Sequence, residues 1–146
     1  MHITNLDLTR LQNFAKHWAS QLRAGDFIAL DGALGAGKTT LCQMLIAAHI
    51  SENIAVTSPT FSLLHFYDHA TLPILHMDLY RLTHADMVCE LGYEDHAATS
   101  VILCEWATNM GSWLPRNRLN VTLEAAKDNT RSITCTAHGH ARIPKL

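Results

Sequence analysis

With 146 residues, 48% of them hydrophobic and 16% charged, the chain can bury one core, is expected to form a single domain over residues 1–146, and excludes long-range disorder. Eleven Lys and Arg against thirteen Asp and Glu give a formal charge of -2. The basic surplus with which a domain holds RNA or DNA by itself is therefore missing, and nucleic acid would have to be bound largely through a partner. The four cysteines, Cys42, Cys89, Cys104 and Cys135, form no C-x-x-C pair, and the ten histidines are dispersed without zinc-ligand spacing. The first residues do not resemble a signal peptide, and no apolar run approaches the roughly 20 residues of a bilayer span. A reduced, cytoplasmic protein with no membrane partner is expected.

From Leu8, apolar residues recur at Leu11, Ala15, Trp18, Ala19 and Leu22, and Gly25 stands where a helix should stop. The spacing predicts an amphipathic helix capped near Asn5 or Asp7. Phe27-Ile28-Ala29-Leu30 reads as a strand buried on both faces. A glycine-rich loop follows, and then a helix over residues 39–49 with Leu41, Leu45 and Ala48 on one face. Ile54-Ala55-Val56 leads into Thr57-Ser58-Pro59-Thr60, where Pro59 disfavours helix at Ser58 and predicts a loop. Residues 61–67 and 74–78 are strand-like, and the turn residues between them suggest a hairpin or neighbouring strands. Residues 83–91 suggest a short helix ended by Gly92. Val101-Ile102-Leu103-Cys104 is another buried strand, and beyond Pro115 residues 119–123 and 132–136 alternate as a terminal antiparallel pair. The fold class expected is α/β, a mixed sheet with helices on both faces.

Gly32-Ala33-Leu34-Gly35-Ala36-Gly37-Lys38-Thr39 satisfies the pattern G-x-x-x-x-G-K-S/T between a predicted strand and a predicted helix. Glycines let the backbone turn tightly and aim N–H groups inward at phosphates, where side chains would obstruct the cradle. The helix that follows adds the positive end of its dipole, Lys38 can bridge the β- and γ-phosphates, and the Thr39 hydroxyl can ligate Mg²⁺. Such a site also needs a carboxylate at a strand end to hold the metal ion. Glu105 ends residues 101–104 and Asp78 ends residues 74–77, and both qualify. Ser58 and Thr60 carry hydroxyls in a loop of the kind that senses a γ-phosphate or a metal ion. Trp106 is open to a place near the nucleotide, to an interface or to core packing. By itself the loop leaves an ATPase, a small-molecule kinase and a nucleotide-dependent interaction module open. The absence of Asn-Lys-x-Asp counts against a GTPase.

The ordered set formed by residues 32–40, Ser58-Pro59-Thr60-Phe61, His76-Met77-Asp78-Leu79-Tyr80-Arg81-Leu82 and Glu105-Trp106 resembles the TsaE family, formerly called YjeE, over most of the chain. The block at residues 78–81 is more diagnostic than the phosphate loop, which many families share. The resemblance implies a P-loop NTPase-like domain with ATP and Mg²⁺ as cofactors. It implies an ATPase that supports threonylcarbamoyladenosine formation at position 37 of tRNAs reading codons that start with A. That protein would act on a TsaD–TsaB heterodimer and meet tRNA mainly through the complex. Carried over by position, Gly35, Ala36, Gly37 and Lys38 hold phosphates, and Thr40 contacts the α-phosphate region. Thr39 and Glu105 ligate Mg²⁺, with Asp78 beside them. Lys38, Asp78 and Glu105 form the catalytic set. Asp7 and Leu8 align with an early nucleotide-contacting segment, and Ser58, Pro59 and Thr60 form a switch-like loop. Trp106 lies next to the nucleotide or the partner surface. Ala33 departs from the aspartate that commonly follows the first glycine of the family's loop, and Arg131 is open to an approach to adenine or phosphate or to a surface position, of which the surface is the favoured reading.

Overall fold

The computed structural model describes residues 1–50 and 54–146. Among these residues seven strands form one sheet: β1 (His2–Leu6), β2 (Phe27–Asp31), β3 (Leu64–Tyr67), β4 (Ile74–Asp78), β5 (Val101–Glu105), β6 (Arg118–Ala125) and β7 (Arg131–His138). Their order is β1-β7-β6-β2-β5-β4-β3. The central pairs β2/β6, β2/β5 and β4/β5 are parallel, whereas β3/β4, β6/β7 and β1/β7 are antiparallel. The sheet is thus mixed, as its sequence predicts. β4 and β5 are buried along their whole length, which is what contiguous apolar runs in a doubly covered parallel sheet require.

Helices α1 (Leu8–Ala19) and α2 (Lys38–Ile50) cover one face. Leu11, Ala15 and Trp18 of α1 meet Leu41, Leu45 and Ile46 of α2 over Ile28 and Leu30 of β2 and Leu103 of β5. The other face is covered by 3-10 segments at Ala85–Leu91, Tyr93–Asp95 and Ala107–Trp113, packed on Phe27, Ala29, Leu75, Met77 and Ile102. The two-residue period of a strand sends alternate side chains to the two cores. On β4 it puts His76 and Asp78 on the α1/α2 face with Ile74, and Leu75 and Met77 on the other.

Helix α1 begins as expected, with Asp7 Oδ1 accepting the Arg10 N–H at 2.8 Å. Several elements differ from the sequence reading. β1 is an added edge strand; three of its five residues are exposed, so no apolar alternation marked it. β3 covers only the second half of the strand-like stretch, because the chain turns at Leu63, whose φ is 64° and whose N–H bonds to the Pro59 carbonyl at 2.6 Å. The helix expected over residues 83–91 is a 3-10 segment, closed at Gly92 in the left-handed region at φ 68°. The turn at Leu63 borders one of the acidic strand ends, since the Asp78 N–H donates to the Leu63 carbonyl at 3.0 Å.

Candidate functional site

Strand β2 runs into the glycine-rich loop, and the loop into the first turn of α2. Gly32 has φ 144°, and a Cβ there would lie 2.3 Å from the Leu123 carbonyl oxygen, so the loop passes β6 too closely for any side chain. Gly37 turns the chain into α2 at φ 105°. Lys38 is then 4% exposed, its Nζ donating to the carbonyls of Gly32 at 2.7 Å and Ala33 at 3.0 Å. Burial lowers the pKa of this amine from its ordinary value, against the opposing pull of Glu105, Asp78 and Asp31.

The two acidic strand ends are neighbours. Asp78 and Glu105 are paired across the parallel β4/β5 ladder. Glu105 Oε2 accepts the Thr39 hydroxyl at 2.8 Å and Oε1 faces His76 Nε2 at 2.8 Å. Asp78 Oδ2 accepts the Thr60 hydroxyl at 2.8 Å, Thr60 is 2.6 Å from the Ser58 hydroxyl, and Asp78 Oδ1 accepts the Tyr80 N–H at 3.0 Å. Pro59 is buried between the two hydroxyl residues. The segment at residues 58–60 is thereby tied to the strand end rather than free in solvent.

A cavity of about 310 Å³ opens where these elements meet. Its walls include Gly35, Gly37, Lys38, Thr39 and Thr40 from the loop and α2, Thr60, Asp78 and Glu105, and Tyr80, Arg81 and Trp106 at the mouth. Trp106 adopts φ 56° and lays its ring over Lys38, with Nζ 4.0 Å from the centroid; Tyr80 lies against it at 5.0 Å. The half-buried tryptophan is a wall of the cavity and also packs against the core on the other face of the sheet. Arg131 also lines the cavity, beside Gly37, which corrects the favoured reading as a surface arginine and leaves the alternative, an approach to a bound nucleotide, in place. The first residue of β7 pairs with Ala125 of β6, and that pairing brings it back to the loop. Asp7 and Leu8 do not line this cavity. The Asp7 carboxylate is engaged in capping α1, and Leu8, 67% exposed, borders a separate groove between α1 and α2 that meets the first cavity at Thr40.

The cavity therefore presents three cationic side chains, Lys38, Arg81 and Arg131, against two carboxylates. The cations and the α2 N-terminus suit a polyphosphate. Thr39, Asp78 and Glu105 offer an all-oxygen donor set, which fits a hard dication such as Mg²⁺. Cys42, His76 and Glu105 also bring one ligand atom each to within 4.8 Å of one another. Burial pushes the Cys42 thiol well above its ordinary pKa. Sequence reasoning gave no role to His76, Tyr80 or Arg81. For His76 the signal was available, two residues before Asp78 on a predicted strand and hence on the same face.

The parallel strands, the glycine loop closing on α2 and the paired acidic strand ends define a P-loop NTPase-like α/β domain. Residues 6–133 match the sequence profile described as threonylcarbamoyl adenosine biosynthesis protein TsaE. Among curated proteins named tRNA threonylcarbamoyladenosine biosynthesis protein TsaE, that of Rickettsia prowazekii is 35% identical over 94% of each chain. That of Bacillus subtilis is 38% identical over 86% of this chain and 78% of its own. The crystal structure of Bacillus subtilis YdiB superposes with a TM-score of 0.76 at 31% identity, covering 95% of this chain and 86% of the other. The chain belongs to the TsaE family. No helix among the described residues is long and apolar enough to cross a membrane.

Proposed function

We propose that this chain hydrolyses ATP with Mg²⁺ and, by doing so, drives a TsaD–TsaB complex that forms threonylcarbamoyladenosine on tRNA. The observation that carries the reading is the 2.8 Å hydrogen bond from the Thr39 hydroxyl to Glu105 Oε2, which joins the phosphate loop to a buried strand-end carboxylate inside the cationic cavity. Thr39 and Glu105 would hold Mg²⁺, with Asp78 beside them, and the ion would neutralise phosphate charge as the terminal phosphoryl group departs. The loop N–H groups and the α2 dipole cradle the phosphates. Lys38 exchanges its two loop carbonyls for phosphate oxygens, gaining a charge-assisted partner in place of neutral ones. Thr60, held on Asp78, places the segment at residues 58–60 where an incoming γ-phosphate would compete for the same hydroxyls. The near-neutral charge supports a role directed at a protein partner, with tRNA met through the complex.

Hydrolysis is tested with the purified chain, alone and with TsaD and TsaB, by following free phosphate. The expected result is release of phosphate from ATP in preference to GTP, faster in the presence of the partners. Lys38→Ala should lower the rate by at least about 10²-fold, as removal of a charge-stabilising donor does elsewhere. Unchanged hydrolysis in that variant, or transfer of phosphate to an acceptor other than water, would overturn the reading.

A further inference from the structure

His76 stands outside the set of residues that reach the cavity, yet it is fully buried and bonded to one that does. Its Nε2 lies 2.8 Å from Glu105 Oε1, and an ionised carboxylate only accepts, so the ring donates from Nε2. The other ring nitrogen, Nδ1, is buried with no partner. A side chain present for packing alone would be served by leucine or methionine without that orphan nitrogen. The contact is also directional. His76 pairs with Leu103 in the β4/β5 register and reaches Glu105 along the diagonal, while Asp78 takes the place directly opposite Glu105.

We infer that His76 is the positioning residue for Glu105: its Nε2–H holds Oε1 and so fixes Oε2 toward the Thr39 hydroxyl, setting the ligand pair for the divalent ion before nucleotide arrives. The inference rests on the reading of Thr39 and Glu105 as the Mg²⁺ ligands. Glu105 is 1% exposed, so bulk water does not compete for Oε1, and among the described residues His76 is the side chain bonded to that oxygen while Thr39 holds Oε2. Outer partners of metal ligands commonly act in this way.

The test measures binding of a fluorescent ATP analogue to the full-length chain in EDTA and across a Mg²⁺ titration, for the wild type, His76→Leu and His76→Gln. Leucine removes the donor, whereas the glutamine amide can restore an N–H at a similar reach. His76→Leu should leave the EDTA affinity within about twofold and raise the Mg²⁺ concentration at half effect by about 10–100-fold, the usual loss for such a partner. His76→Gln should recover most of that shift. A merely structural histidine would lower the melting temperature of both variants without moving the Mg²⁺ midpoint, and that result overturns the inference. If His76→Leu does not fold, His76→Gln against the shorter His76→Asn makes the same comparison, and equal Mg²⁺ midpoints for the two overturn it. A wild-type chain that binds the analogue without Mg²⁺ dependence would instead sink the metal-site reading itself.

Discussion

Gly32 has no room for a side chain, and this has a measurable consequence. A methyl group there would meet the Leu123 carbonyl oxygen at 2.3 Å, a backbone atom that cannot swing aside, at a φ of 144°. Gly35 also has a positive φ, 78°, but a Cβ there meets nothing within 4 Å. Gly32→Ala is therefore expected to cost more than about 2 kcal/mol, and Gly35→Ala about 1 kcal/mol, the strain of the left-handed region alone. Urea unfolding of the two variants checks the difference. Ala33 stands in the same turn, and its contribution to Lys38 comes from its carbonyl, which any residue supplies. At this scale the loop's demand is for backbone, and the side chains that matter are Lys38 and Thr39.

Elements decide where those side chains stand. Helix α1 forms because its apolar stripe packs on α2 and because Asp7 closes its N-terminus. Asp7→Ala should lower stability by about 1 kcal/mol through the lost cap, read as a shift in the urea midpoint with the slope unchanged. Strands β4 and β5 matter more for the site. Their parallel register sets Asp78 against Glu105, and the two-residue period brings His76 to the same face, so one ladder supplies both carboxylates and the ring behind one of them. A shift of one residue in that register would send the carboxylates to the opposite core.

Across the whole molecule, burial separates the four thiols. Cys42, Cys104 and Cys135 are buried and Cys89 is exposed. Native protein should react with one equivalent of a thiol reagent at neutral pH, and unfolded protein with four. The same burial makes stability depend on pH. Desolvation raises the Cys135 thiol from 9.0 to about 11 and pushes Cys42 and Cys104 well up as well. Between pH 9 and about 11 the folded state thus keeps protons that the unfolded chain has lost, so unfolding releases protons and stability falls as pH rises. Unfolding midpoints under reducing conditions should drop across that window, and Cys135→Ala should flatten the decline.

The phosphate loop, the buried strands β2 and β5, strand β4 as a strand, helix α1 with its cap and the terminal antiparallel pair were legible in the sequence, because each rests on local chemistry: glycine at forced turns, contiguous apolar runs, helical spacing. Edge strand β1 was not, since its mostly exposed residues carry no period and it exists through pairing with β7. Nor were Arg131 beside Gly37, Trp106 over Lys38 and His76 behind Glu105, contacts that span between 29 and 94 residues of chain for His76 and Arg131. Sequence named the carboxylates at the ends of two strands. The strand order and register that make them neighbours of Thr39 and Lys38 are set by how both faces of the sheet are buried, and only the tertiary structure decides that.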